Sequence, residues 1–225
     1  MNEDPADQAS PPCLAGEVAQ DHVDPLGVDD VARWRQAERR RLLEARAEIP
    51  VARRGVIEAA LIRHLSTLID RRAGDPAGLV ISGFWPIKGE PDLRGWLAEL
   101  HDKGATVALP VVETRSAPLV FRRWAPGMRM VRGHWNIPVP PPEAPEVVPA
   151  ITLAPLVGWD AEGYRLGYGG GYFDRTLAAF GQRPFAVGIG LQSARLATIH
   201  PQPHDIGLDA IVTEAGLQFE REGPR

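Results

Sequence analysis

The N-terminal part of the chain has apolar positions at a helical period. Residues 51–70 place apolar side chains three and four positions apart, the spacing that puts them on one face of an amphipathic helix. The predicted buried face consists of Val56, Ala59, Ala60, Ile62, Leu65, Leu68 and Ile69. Residues 31–48 predict a second, arginine-rich helix that follows the acidic pair Asp29 and Asp30, and Pro50 separates the two helices. We therefore expect an N-terminal helical pair.

The pattern then changes to short, continuous apolar runs, which are typical of strands covered on both sides. The predicted strands span residues 79–85, 106–112, 151–157, 184–191 and 209–213, with an edge strand at 119–124. A helix over residues 92–103 separates the first two strands and completes a βαβ unit, which favours parallel strands with a right-handed crossover. Residues 127–149 are proline-rich and predict loops. The predicted fold class is α/β, a three-layer, open, mostly parallel sheet with helices on both faces and an N-terminal helical pair.

Composition narrows the classes of protein. The chain has 225 residues, 44% of them hydrophobic, and a formal net charge of −4, which argues against a general nucleic-acid binder. Residues 1–28 have no apolar period and predict a disordered acidic tail, followed by a single α/β domain over residues 29–225. The lone cysteine, Cys13, allows no disulfide framework, and no apolar run is long enough to span a membrane. We expect a cytoplasmic protein without nucleic-acid or membrane partners; the oligomeric state stays open, with a monomer favoured.

Residues 164–175 contain a cluster of four glycines, at Gly167, Gly169, Gly170 and Gly171. An apolar strand precedes the cluster and a helix follows it. In α/β proteins this arrangement directs free backbone N–H groups and the positive end of the helix dipole toward an anion. The chain lacks the last glycine of the Rossmann pattern and the Lys-Ser or Lys-Thr pair of the P-loop. A glycine-rich turn without a ligand is the structural alternative.

Charged residues beside the glycines favour a polyphosphate as the ligand. Arg165 precedes the cluster and Arg175 follows it, so both cations lie close to the predicted anion site. Asp174 could hold Mg²⁺ through a carboxylate oxygen, or it could cap the following helix. Tyr172 and Phe173 either pack that helix against the sheet or stack on a ligand.

A second candidate site lies in residues 84–92, directly after the first predicted strand, where open α/β sheets bind ligands. Phe84 and Trp85 offer flat apolar surfaces, and the Glu90 carboxylate can accept two N–H bonds from an aminopyrimidine-type heterocycle. Glu90 has no evident structural role in the sequence. Trp85 could instead belong to the core, and Asp92 could be a helix cap.

Two further groups of residues have competing interpretations. Arg35 and Arg39 share one face of the first helix at positions i and i+4, which suits either an anion or an ordinary solvated face. His200 and His204 have a metal-ligand spacing only if they lie on a helix, and the prolines between them exclude one. We therefore predict a turn that leads into the last strand.

Together these motifs resemble the 5-formyltetrahydrofolate cyclo-ligase family, also called 5,10-methenyltetrahydrofolate synthetases. The resemblance covers about residues 30–216 in the family's order, and it rests on residues 84–92, 156–160, 164–175 and 203–214. It implies an ATP- and Mg²⁺-dependent conversion of 5-formyltetrahydrofolate into 5,10-methenyltetrahydrofolate, with release of ADP and phosphate. The formyl oxygen would be phosphorylated, N10 of the substrate would attack, and phosphate would leave.

The resemblance also implies roles for individual residues. The residues expected to bind ATP are Arg35, Arg39, Gly167, Tyr168, Gly169, Gly170, Gly171 and Tyr172. Arg165 and Asp174 are the expected catalytic residues, and Asp174 is also the expected ligand of Mg²⁺. The residues expected to contact the folate are Phe84, Trp85, Glu90 and Trp135.

One departure from the family pattern concerns the first helix. The family usually has a lysine where Arg35 stands, and a shift of register by one residue would place Gln36 there instead. The alternative from another functional class is a non-catalytic homologue that binds folate or nucleotide. The intact glycines and Asp174 favour the enzyme.

Overall fold

The computed structural model of the protein describes residues 27–222, so most of the tail predicted over residues 1–28 lies outside the described residues. The first helix, α1, spans Val28–Ala47 and begins earlier than predicted. Asp29 and Asp30 occupy its first turn, where negative charge interacts favourably with the helix dipole.

Three further helices follow α1. Helix α2 spans Val51–Ala73 and starts directly after Pro50, which confirms the helical pair. Helix α3 spans Arg94–Asp102 and α4 spans Tyr172–Ala179. Among residues 27–222, none of these helices combines the length and the apolar character that a bilayer crossing requires.

Seven of the strands form one sheet. The strands are β1 (Val80–Ser82), β2 (Thr106–Val111), β3 (Val120–Arg123), β4 (Val131–Arg132), β5 (Pro138–Val139), β6 (Ile151–Pro155), β7 (Gly158–Trp159), β8 (Arg165–Leu166), β9 (Phe185–Ile189), β10 (Ala210–Thr213) and β11 (Gly216–Glu220). The sheet order is β11-β10-β9-β6-β1-β2-β3, and two short antiparallel ribbons, β4-β5 and β7-β8, stand apart from it. The five central strands pair in parallel, whereas β3 and β11 are antiparallel edges. The predicted α/β class with a mostly parallel sheet is confirmed.

Several strand predictions differ from the structure. Residues 127–149, which were predicted as loops, contain the short strands β4 and β5. The strand predicted over residues 79–85 is limited to Val80–Ser82, and at the next residue, Gly83, a side chain would overlap Leu97 of helix α3. Strand β11 was not predicted, although its apolar residues Leu217 and Phe219 alternate with polar ones. The chain turns into β11 at Gly216, whose φ of 119° suits glycine.

The buried face of α2 is rotated relative to the predicted one. Val56 is 58% exposed and Ala59 is exposed, whereas Ile57 and Leu61 are buried. The buried face of α2 is therefore rotated by about one residue from the predicted face. This rotated face packs against β10 and β11, and α3 packs on β2.

Candidate active site

A cavity of about 420 Å³ opens at the carboxyl ends of β1, β2 and β6, between helix α1 and the glycine loop. This is the edge of an open α/β sheet at which ligands usually bind. All the residues expected to bind ATP, Mg²⁺ or the folate line this cavity, whereas Arg175 does not, because its guanidinium donates to the carbonyl of Gly170. Residues distant in the chain, such as Arg35, Glu90 and Gly171, thus reach one place.

The glycine loop connects β8 to α4. Gly169 and Gly171 have φ angles of 94° and 62°, a region that other residues adopt only with strain. Within the described chain, the backbone N–H groups of residues 168–174 donate no hydrogen bond. A row of free donors at the start of a helix is a suitable site for an anion.

Arg165 and Asp174 form a partly buried ion pair beside the loop. Nη2 of Arg165 donates to Oδ1 of Asp174 at 2.6 Å, and Nη1 donates to the carbonyl of Ile206 at 2.6 Å. Burial lowers the pKa of Arg165, and the charge of Asp174 opposes that change. The pair sets the orientation of both side chains at the cavity wall.

Asp174 does not cap helix α4, because the N-cap is Gly171 and no side chain bonds to that end of the helix. Its Oδ1 also accepts the backbone N–H of Ile206 at 3.0 Å. Within residues 27–222 no three carboxylate, histidine or cysteine side chains gather closely enough to form a metal cluster.

The guanidinium of Arg35 is largely occupied by protein groups. Its Nε donates to the carbonyl of Ile199 at 3.0 Å, and one Nη donates to the carbonyl of His200 at 2.9 Å. It also forms an ion pair with Asp205. Arg35 thus fixes the segment around residue 200 against helix α1.

Arg39 lies one turn further along α1 and is half-buried. Its Nε donates to the carbonyl of Gly167 at 2.7 Å, and its two terminal amino groups donate to no described residue. Burial, followed by the neighbouring charge of Arg35, lowers the pKa of Arg39, although an arginine stays charged at neutral pH. Arg39 therefore presents free donors beside the glycine loop.

Glu90 also lines the cavity and is only 7% exposed. Its Oε2 accepts the backbone N–H of Ile87 at 2.9 Å, and its Oε1 accepts the hydroxyl of Tyr168 at 2.7 Å. Burial raises the pKa of Glu90, while these two hydrogen bonds act in the other direction. The expectation that Glu90 has no structural role was wrong, because its carboxylate closes its own turn and contacts the glycine loop.

The aromatic residues line the cavity in different ways. Phe84 is buried, whereas Trp85 is half-buried, with the guanidinium of Arg94 4.7 Å from its ring centre. Trp85 is therefore not a fully enclosed core residue. Trp135 is 57% exposed and stands edge-on to Tyr172, with the two ring centres 6.1 Å apart. Its φ of 55° places it in the left-handed region, so the backbone presents the indole at the rim at some cost.

One segment of the site was missed by sequence reasoning. Residues 202–205 form the predicted turn, and they also line the cavity. Burial alone would raise the pKa of Asp205, but hydrogen bonds from Arg35 and the N–H of Gln202 outweigh it, so the pKa is lowered. His134, next to Trp135, also lines the cavity. Asp205 could have been predicted as a site residue only if the contact between α1 and this turn had been known.

The fold and the site define a mostly parallel α/β protein in which a glycine loop and aromatic side chains line one cavity. The model of the 5-formyltetrahydrofolate cyclo-ligase family matches residues 31–214, and the chain belongs to this family.

Individual relatives and one solved structure agree. The chain is 28% identical over 180 residues to the 5-formyltetrahydrofolate cyclo-ligase of Haemophilus influenzae, covering 77% of this chain and 94% of that protein. It is 30% identical over 180 residues to the protein of the same name from Mycolicibacterium smegmatis, covering 76% and 89%. The NMR structure of Aquifex aeolicus 5,10-methenyltetrahydrofolate synthetase matches with a TM-score of 0.70 at 27% identity, covering 85% of this chain and 95% of that one.

Proposed function

We propose that the protein catalyses the ATP- and Mg²⁺-dependent cyclisation of 5-formyltetrahydrofolate to 5,10-methenyltetrahydrofolate, with release of ADP and phosphate. The observation that carries the proposal is a cavity lined both by the glycine loop, with its free N–H groups, and by a buried carboxylate and aromatic side chains. The loop suits a polyphosphate, and the carboxylate with the aromatic rings suits a flat, hydrogen-bonding ring; we call these two groups of residues the phosphate half and the folate half of the cavity. Family membership supports the same substrate.

The glycine loop and Arg39 would bind the phosphates of ATP. The free N–H groups of residues 168–174 and the start of α4 provide donors that need no rearrangement. Arg39 adds positive charge beside the loop, with two amino groups that no described residue occupies. Arg35 would act nearby, although its guanidinium already holds Asp205. Arg39 is therefore the stronger candidate for direct contact with phosphate.

Asp174 would be the protein ligand of Mg²⁺. Its Oδ1 is held by Arg165 and by the N–H of Ile206, which leaves Oδ2 directed elsewhere with no hydrogen bond to a described residue. Mg²⁺ in nucleotide sites is commonly bound by one or two carboxylates together with phosphate oxygens and water. When bound, the ion would neutralise negative charge on the phosphates.

The loop after β1 would bind the pterin ring. The Glu90 carboxylate can accept N–H groups from the aminopyrimidine edge, and its position is fixed by Ile87 and Tyr168. Phe84 and Trp85 line the adjacent wall. Trp135 would cover the folate from the rim, where its ring is exposed before a ligand binds.

The reaction needs positioning more than covalent help from the protein. A formamide oxygen is a poor leaving group, and its phosphorylation by ATP converts it into a phosphate that departs when N10 closes the ring. The chain's contribution is to hold the formyl oxygen near the phosphoryl donor and to stabilise the developing charge. Arg165 is the residue that we assign to this charge, because it lines the cavity beside the glycine loop and its Nε, unlike its two terminal amino groups, donates to no described residue. We infer a cytoplasmic enzyme with no nucleic-acid or membrane partner; its oligomeric state stays open, with a monomer favoured.

Mixing the protein with 5-formyltetrahydrofolate, ATP and Mg²⁺ tests the proposal through the near-ultraviolet absorbance of the conjugated methenyl product. We expect Glu90→Ala to raise KM for the folate more than KM for ATP. Glu99→Gln on the exposed side of α3 is the matched control and should leave both constants unchanged. A protein that binds both ligands without forming product would be the non-catalytic homologue. If Glu90→Ala raised KM for the folate and KM for ATP equally, the assignment of Glu90 to the pterin site would be wrong.

A further inference from the structure

A hydrogen-bonded chain of three side chains connects the two halves of the cavity. Arg46 at the end of α1 contacts Tyr168 of the glycine loop, since its Nη1 lies 3.3 Å from the tyrosine hydroxyl. That hydroxyl donates to Oε1 of Glu90 at 2.7 Å. Oε2 of Glu90 in turn accepts the N–H of Ile87. One phenol group therefore joins the loop that would bind phosphate to the loop that would bind the pterin.

Arg46 is buried, although its position near the end of α1 does not by itself require burial. It is only 3% exposed, and its other amino group donates to the carbonyl of Leu156. Its Nε is buried without a hydrogen-bond partner among residues 27–222, a cost that a solvated arginine would avoid. Its side-chain carbons lie under Gly89, where an added Cβ would be 3.5 Å from Arg46 Cγ. The guanidinium thus contacts the glycine loop, and the carbons of the same side chain support the turn that carries Glu90.

The protonation states of Tyr168 and Glu90 agree with a hydrogen bond that the Tyr168 hydroxyl donates to the Glu90 carboxylate. Burial, with the charge of Glu90 next, raises the pKa of Tyr168, so its hydroxyl stays a donor at neutral pH. The positive charges of Arg46 and Lys88 favour the ionised form of Glu90, against the effect of burial. The Lys88 ammonium lies over the Tyr168 ring, 5.3 Å from its centre.

We propose that Tyr168, held by Arg46, is a positioning residue that fixes the Glu90 carboxylate for the pterin and links its position to the glycine loop. This inference rests on the proposed function and adds two roles to it. The phosphates are bound by the backbone of the loop, so the Tyr168 hydroxyl acts on the folate half. Arg46 contacts neither ligand and acts only through Tyr168 and the turn at Gly89.

Tyr168→Phe separates this role from general folding, because it removes only the hydroxyl. We expect KM for 5-formyltetrahydrofolate to rise about tenfold or more, as for loss of a hydrogen bond to a charged group, with less than about threefold change in KM for ATP. Arg46→Met should reproduce the same selective rise, and Arg46→Lys should restore part of it. Thermal unfolding of each variant shows how much of the change is structural.

A double variant decides whether the hydroxyl acts through the carboxylate. In the Glu90→Ala background, Tyr168→Phe should raise KM for the folate no further. If the effects of the two substitutions on KM for the folate multiplied, the inference would be overturned. A Tyr168→Phe enzyme with wild-type constants, or one that loses affinity for ATP alone, would also overturn it. Equilibrium titration of wild type with each ligand separates the two proposals. If the wild-type protein binds neither ligand, both the proposed function and the positioning role are overturned. If wild type turns over normally but the effects of the two substitutions on KM multiply, only the positioning role is overturned.

Discussion

Replacing Arg39 by glutamine perturbs the phosphate half of the site with little change in shape. The side chain is half-buried, and its Nε donates to the carbonyl of Gly167, an interaction within the protein. Its two terminal amino groups donate to no described residue, and these are the donors that we assign to ATP. Glutamine keeps part of the length of the side chain and removes its charge.

The expected magnitude follows from these contacts. A hydrogen bond to a charged group contributes about 1.5–3 kcal/mol, and about 1.4 kcal/mol corresponds to a tenfold change in an equilibrium constant. Loss of one such bond predicts that KM for ATP rises about 10- to 100-fold. KM for 5-formyltetrahydrofolate should change much less, because the hydrogen bond of Arg39 is to Gly167 and not to Glu90 or the aromatic residues that we assign to the pterin.

The assay is initial-rate kinetics of methenyl product formation, with each substrate varied in turn. Arg41→Gln is the matched control, since Arg41 is an exposed arginine of the same helix that pairs only with Glu38. We expect its constants to equal those of wild type. An Arg39→Gln enzyme that keeps the wild-type KM for ATP, or that loses affinity for both substrates equally, would refute the assignment of Arg39 to the phosphates.

Three further predictions concern the loop, the metal and the pH dependence of stability. Gly169→Ala should lower thermal stability and raise KM for ATP, because φ is 94° there and strain of this kind costs about 1–3 kcal/mol. The control Gly55→Ala, at an open position of α2, should not destabilise the protein. Asp174→Asn should raise the Mg²⁺ concentration needed for half-maximal rate, and an unchanged Mg²⁺ dependence would limit Asp174 to holding Arg165. The lowered pKa of Asp205 means that the unfolded chain binds its proton more readily, so this contribution to stability is present above about pH 4 and is lost on further acidification. Urea unfolding at several pH values should therefore show Asp205→Asn less stable at neutral pH, with a gap to wild type that narrows in acid; a gap that is constant with pH would contradict this.

The fold and most of the cavity could be predicted because their signals are local. Continuous apolar runs indicate buried parallel strands, and the carboxyl ends of such strands meet at one edge of the sheet. The glycine loop and the turn that carries Glu90 each follow a predicted strand, so the sequence predicts that they lie near one another. The buried face of α2 was less well predicted, because apolar residues such as Val56 and Ile57 are adjacent and periodicity does not say which of them faces the sheet.

The missed parts of the site depend on contacts between distant segments. Arg35 pairs with Asp205, and Arg46 reaches Tyr168 from the end of α1. In the sequence, Arg46 is one arginine among several on an apparently solvated helix, and Asp205 belongs to an ordinary turn. Glu90 also looked free of structural duty, because its partner Tyr168 is remote in the chain. No local pattern distinguishes a buried arginine from its exposed neighbours.

The central claim is that this cavity joins ATP consumption to ring closure of a formylated folate. The most direct measurement follows methenyl absorbance and ADP release together in one mixture of protein, 5-formyltetrahydrofolate, ATP and Mg²⁺. We predict that the two products appear in equal amounts and that omission of ATP, Mg²⁺ or the folate abolishes both. ADP release without methenyl product, or no product from protein that binds both ligands, would contradict the account.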